Sequence, residues 1–137
     1  MALPNTGGGY QLGDGNLLEV TFFDQPAPQT ATATATLTTA QITGGILVGN
    51  PSTSAATYTL PTAVALDTLL TNCKIDSAFD LFIINLGTSS GVITLDVGAG
   101  ITLVGLATTA ITSAVGSSSQ WRFRKTGAGA WTVYRIN

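Results

Sequence analysis

Phe79-Asp80-Leu81-Phe82-Ile83-Ile84-Asn85-Leu86, then Gly87-Thr88-Ser89-Ser90-Gly91, then Val92-Ile93-Thr94-Leu95-Asp96-Val97: this stretch decides the fold. A short apolar run, closed by glycine and serine and followed by a second run rich in β-branched residues, predicts strand, loop, strand. Asp80 and Asn85 interrupt the first run only near its ends, so its centre is apolar on both faces. Such a strand is expected at the middle of a sheet, covered on both sides by a second sheet or by another subunit.

The pattern continues in both directions. Downstream, Gly98-Ala99-Gly100 turns into Ile101–Val104, Thr108–Thr112 follows, and the chain closes on the hairpin Gln120–Lys125 with Ala130–Ile136. With Thr126-Gly127-Ala128-Gly129 as its loop, Trp121 faces Tyr134 and Arg124 faces Trp131, an aromatic pair and a cation–π contact. Upstream, Ile46–Val48 and Ala56–Leu60 read as strands, and Leu17–Phe23 as a first one. Thr30–Thr38 alternates threonine and alanine with period two, which in a strand puts threonine on one face and small alanine on the face that packs; low complexity is the competing reading. Pro61–Leu70 is the one helix expected, with proline at its opening position, lying as a lid across one end of the fold. Strands at short, regular spacing, split by glycine loops, predict an all-β fold, an antiparallel β-sandwich of jelly-roll-like form. Residues 1–16, with five glycines, read as a flexible N-terminal arm before a single domain at 17–137. The arm is either a leader without a role or a segment ordered against a partner through Tyr10, Leu12, Leu17 and Leu18.

The chemical inventory is sparse. The 137 residues hold no histidine and one cysteine, Cys73, and charged residues make up only 9%. Without histidine there is no Ser-His-Asp relay and no imidazole metal ligand. Cys73 has Lys74 beside it but no base, and reads as an inert structural thiol. The carboxylates stand singly, and neither Gly98-Ala99-Gly100 nor Gly127-Ala128-Gly129 has the setting of a phosphate loop. No enzyme, cofactor or metal is expected, although a facing pair of carboxylates, as a glycosidase needs, stays open at this level. The net charge of −2 gives no reason to expect nucleic acid. No run is long and apolar enough for a membrane span, and the opening residues lack the form of a signal peptide, so a soluble protein made in a cytoplasm is expected. Four of the five basic residues, Arg122, Arg124, Lys125 and Arg135, lie on the terminal hairpin. They are either a polar strand face or a patch that docks on an acidic partner protein, with Arg122, Arg124 and Arg135 as contacts. Tyr10, Tyr58, Trp121, Trp131 and Tyr134 are candidates for a sugar-stacking platform, with core packing the competing role for the tryptophans.

Three segments carry a family likeness: Thr57-Tyr58-Thr59-Leu60-Pro61-Thr62-Ala63 leading into Leu66-Asp67; Phe79–Gly87 with Val92-Ile93-Thr94-Leu95; and Trp121–Gly127 with Ala130–Arg135. Together they resemble the small β-sandwich proteins of tailed bacteriophages, the capsid decoration (cement) and head-fibre group. The likeness runs from about residue 57 to the C-terminus. It implies a homotrimer on the outer surface of the virion head, bound to the major capsid protein, with no cofactor, nucleic acid or membrane. The alternative is a receptor- or carbohydrate-binding module of a head or tail fibre.

Overall fold

The computed structural model describes residues 22–105 and 111–137. In chain order the elements are β1 (Gln29–Ala31), β2 (Ala35–Thr36), α1 (Thr39–Thr43), β3 (Ile46–Gly49), β4 (Ala56–Thr59), α2 (Ala63–Leu69), β5 (Ala78–Asn85), β6 (Ile93–Asp96), β7 (Ile101–Val104), β8 (Ile111–Ser113), β9 (Ser118–Gly127) and β10 (Ala130–Arg135). The fold is mainly β. The larger sheet has the order β1-β3-β5-β9-β10-β7, and the smaller has β2-β4-β6-β8.

The expected antiparallel arrangement is not what these strands form. Both sheets are mixed: β1/β3, β3/β5, β2/β4, β4/β6 and β7/β10 pair in parallel, while β5/β9, β9/β10 and β6/β8 are antiparallel. From β1 to β6 the chain steps from one sheet to the other at every strand, so β1/β2, β3/β4 and β5/β6 are three successive rungs of one coil. Parallel neighbours need a crossover, and here the crossover runs through the other sheet. The loops stack along with the strands. Asn50 N donates to Ala31 O, Leu86 N to Gly49 O and Thr88 N to Ser52 O on one side; Leu37 N donates to Thr59 O, Leu60 N to Asp96 O and Ala63 N to Ala99 O on the other.

This stacking explains two glycines that resemble ordinary hairpin punctuation in the sequence. A Cβ on Gly91 would lie 2.2 Å from Ser52 O, and one on Gly98 would lie 2.5 Å from Leu60 O. Both are needed because the backbone of the neighbouring rung passes there.

The threonine-alanine stretch is not one strand. It bends between β1 and β2, which lie in different sheets, and Ala33 and Ala35 are exposed rather than packed. Alanine buries too little surface to hold a long ribbon on a core, so the first rung is short. Thr34 Oγ1 accepts from Thr57 N, standing in for a ladder carbonyl. The chain then enters a helix that the periodicity does not predict. Thr38 and Gln41 form a reciprocal capping box: Thr38 N donates to the Gln41 side chain and Gln41 N to Thr38 Oγ1, and Ile42 alone of the five helical residues is buried. The one helix expected, Pro61–Leu70, is present over Ala63–Leu69, so Pro61 precedes it and Thr62 is its cap: Ala65 N donates to Thr62 Oγ1. Phe22 and Phe23 are not in a strand, and the rest of the expected Leu17–Phe23 strand, the arm 1–16 and residues 108–110 lie outside the described residues.

Side chains from both sheets and both helices meet in one core. Leu47, Leu81, Ile83, Trp121, Phe123, Trp131 and Val133 of the larger sheet join Tyr58, Ile93 and Leu95 of the smaller, with Ile42 and Leu66 from the helices. Phe79 stacks on Phe123 at 4.8 Å between centroids and meets Trp131 edge-on at 5.8 Å. The Tyr58 hydroxyl, buried with its pKa raised by desolvation, donates to Ala31 O at 2.9 Å and ties the two sheets. Asn85, also buried, joins two loops: Nδ2 donates to Gly91 O and Ala114 O, and Oδ1 accepts from Gly87 N.

The terminal hairpin differs from the expected register by one residue. Its turn is the two residues Ala128-Gly129, with Gly129 at φ +62°, and the register shifts between Ala130 and Trp131. A turn followed by a left-handed glycine and a bulge is a common tight hairpin. Trp121 therefore pairs with Arg135 and Trp131 with Lys125; the expected Trp121–Tyr134 and Arg124–Trp131 pairs do not form.

Candidate interaction face

The strands of the larger sheet alternate cleanly between the core and an outer face. On β5, Leu81, Ile83 and Asn85 are buried, which turns Asp80, Phe82 and Ile84 outward; on β9, Ser119, Trp121 and Phe123 are buried, which turns Gln120, Arg122 and Arg124 outward. Register places these side chains in rows. Ile46 stands beside Phe82, which stands beside Gln120; Val48 stands beside Ile84; Asp80 stands beside Arg122, which stands beside Tyr134. The outer face thus has an apolar half over β3 and β5 and an ionic half over β5, β9 and β10. Phe82 is 43% exposed, whereas its neighbours Leu81 and Ile83 are at 0% and 1%.

The ionic half is compensated within the chain. Arg122 holds Asp80 through two bonds, Nε at 2.7 Å and Nη2 at 2.8 Å, and Gln120 Nε2 adds a third donor at 3.3 Å. The Arg122 bonds, with the smaller help of Gln120, hold the Asp80 carboxyl below its ordinary value against the opposing effect of burial, and the guanidinium is raised in turn. Arg124 donates to the Tyr134 hydroxyl at 3.5 Å and forms an ion pair with Asp76; these two contacts raise its pKa. Asp76 sits at φ +72° in the turn before β5.

Of the hairpin residues expected to contact a partner, Arg122 and Arg124 share this outer face. Arg135 is separate: its guanidinium lies 5.8 Å from the Trp121 ring, and its Nε donates to Asn137 O. Tyr10, Leu12, Leu17 and Leu18 lie outside the described residues. The fourth hairpin cation, Lys125, points to the end of the core, 3.0 Å from Asp67. Asp67 also accepts from Gly129 N at 2.7 Å and Trp131 Nε1 at 2.9 Å, and these contacts, led by the Gly129 amide, lower its pKa. This cluster pins α2 to the hairpin.

Among the described residues no sugar platform is assembled. Trp121, Trp131 and Tyr58 are buried at 0–1% exposure and occupied with the core, leaving Tyr134, half-buried, as the outward ring among the described candidates. Asp67, Asp76 and Asp80 each serve a different cation, and among the described residues no group of three histidine, cysteine or acidic side chains converges to hold a metal. Among the same residues no helix is long and apolar enough to cross a membrane. The site residues that the sequence does not single out are Ile46, Val48, Phe82 and Ile84. Their signal was the two-faced apolar character of the central strand, and only the pairing of β3 with β5 joins them into one patch. In comparisons with known proteins, no family model, curated protein or solved structure matches this chain.

Proposed function

We propose that this chain is a structural virion protein, a decoration (cement) protein that seats as a trimer on the outside of a tailed-phage head and stabilises the shell. The reading draws on the likeness of the strands from about residue 57 onward, and the observation that carries it is the outer face of the larger sheet. That face exposes Phe82 beside Ile46 and Ile84 while its charges are paired internally. It has the character of a surface made for a protein contact rather than for turnover. For this role the two sheets are read as the two layers of a β-sandwich. The partner is the major capsid protein, reached through the N-terminal residues Tyr10, Leu12, Leu17 and Leu18, with Arg122, Arg124 and Arg135 as further contacts. Three linked copies multiply a weak individual contact through high effective concentration, and a protein that binds only the intact shell stabilises that shell. Neither nucleic acid nor a membrane enters this role, because three of the four hairpin cations that would attract them pair with Asp80, Asp76 and Asp67.

The carbohydrate-binding alternative loses its main support with the burial of both tryptophans. Pelleting purified protein with phage heads that lack it tests the proposal. Saturable co-sedimentation, and heads that withstand more heat once coated, are expected; protein that stays in the supernatant at every ratio contradicts it.

A further inference from the structure

We infer that α2 is a hinged lid on the end of the core, held shut by the Asp67–Lys125 ion pair, and that neutralising this latch lets the helix lift while both sheets stay folded. The latch is independent of the decoration role. Only Ala63 and Leu66 of the seven helical residues are buried, and Val64, Thr68 and Leu69 face solvent. A helix this short does not hold itself in water, so it stays formed through what it touches. No acidic residue supports its first turn and no basic residue its last. Asp67 lies in that last turn, where the helix dipole disfavours an anion, so its charge serves the hairpin and not its own helix.

The ties converge on one side chain. Asp67 accepts from Gly129 N and Trp131 Nε1, and Lys125 Nζ reaches both Asp67 and Cys73 O in the turn after the helix. The segment is anchored at both ends: Ala63 N donates to Ala99 O before it, and Asp76 N to Lys125 O behind it. Residues 64–75, between those anchors, lie in neither sheet, so they move without unpairing a strand. Among the described residues, the ionisable groups around the latch are Lys125 on β9 and Cys73, Lys74 and Asp76 in the turn after α2. Asp76 is paired with Arg124, Tyr134 and Arg135 of β10 have contacts elsewhere, and α1 and the Gly98–Gly100 loop carry no such group. No second carboxylate takes over Lys125 when Asp67 is protonated. The mostly buried ammonium is then left without a counterion, and lifting the lid returns it to water. Because contacts hold the carboxyl below its ordinary value, the lid is shut at neutral pH and acid opens it only below about pH 4. Opening uncovers Leu66 and the Trp131 end of the core.

Amide hydrogen exchange of the full-length protein at pH 7, read by mass spectrometry over peptic fragments, tests the lid. Asp67→Asn removes the latch, and Asp80→Asn is a control that breaks the ion pair on the outer face of the larger sheet. In folded Asp67→Asn, residues 63–75 and the turn at Gly129 are expected to exchange at least about tenfold faster than in wild type, while β3 and β5 keep wild-type protection. Asp80→Asn is expected to leave 63–75 as in wild type. Unchanged exchange at 63–75 in Asp67→Asn, an equal acceleration in every strand, or a like effect of Asp80→Asn overturns the inference. If Asp67→Asn does not fold, acid titration of the wild-type protein decides. Tryptophan emission is then expected to shift red at a higher pH than the strand signal in circular dichroism is lost, and one coincident transition overturns the lid.

Discussion

Asp67 shows how much one side chain contributes when several donors converge on it. It accepts from Gly129 N and Trp131 Nε1 and pairs with Lys125, whose side chain is only 13% exposed. Asp67→Ala takes the acceptor from Gly129 N and Trp131 Nε1 and leaves the Lys125 ammonium only a long bond to Cys73 O, so a loss of about 3 kcal/mol in chemical denaturation is expected. Asp67→Asn, which keeps an acceptor, is expected to lose less. The same carboxylate sets the acid limit. Asp67 and Asp80 both have pKa values lowered from 3.8 in the folded chain. Their stabilisation is fully present above that value and is lost as pH falls through the lower folded values, because the unfolded chain binds protons first. Thermal unfolding is therefore expected to be flat with respect to these groups from neutral pH down to about pH 5 and to fall below about pH 4. Asp67→Asn is expected to shallow that fall; an equally steep profile would place the acid sensitivity elsewhere.

At the scale of elements, the stacked rungs make glycine the sensitive residue. Gly91→Ala would force a methyl carbon against Ser52 O in the neighbouring loop and is expected to cost about 2–3 kcal/mol, as overpacking of backbone does. Gly116 has a positive φ but open space around it, so Gly116→Ala is expected to cost only about 1 kcal/mol from backbone strain. Urea unfolding of the pair checks the order; equal losses would contradict stacked loops.

Most strands from Ile46 onward were legible, because their signals are local: β4, β6, β9 and β10 alternate apolar with polar residues, and β3 and β5 are short apolar runs bounded by glycine or polar residues. Their pairing was not legible, since a meander and a two-sheet coil leave the same alternation in each strand. A faint repeat does exist. Thr34-Ala35-Thr36-Leu37, Thr57-Tyr58-Thr59-Leu60 and Thr94-Leu95-Asp96-Val97 occupy matching positions, with Ala35, Tyr58 and Leu95 in register. The unequal spacing of these copies, caused by loops and helices of different length, hides them from any search for a fixed period. Helix α1 left a readable signature in Thr38-Thr39-Ala40-Gln41, a capping box overshadowed by the threonine-alanine alternation before it. The hairpin register was missed by one residue because a bulge leaves little trace in composition. For the candidate site, Arg122 and Arg124 were found by type, but their acidic partners Asp80 and Asp76 are distant in sequence and meet them only through folding.

On the scale of the whole molecule, the buried core among the described residues runs from Leu37 to Val133, with Ala31 packed against it. From the glycine-rich sequence of residues 1–16, their removal is expected to leave the unfolding temperature unchanged while weakening attachment to a shell; unfolding of the truncated chain would contradict this separation of anchor and body. The core is closed and the outer face open, and the proposed decoration role gives that face and the arm to assembly on a phage head. Cryo-electron microscopy of heads prepared with and without the protein measures that claim most directly. The account predicts added three-lobed density on the outside of the shell, each lobe the size of one chain. Heads that look identical in the two preparations, or added density confined to the tail, would contradict it.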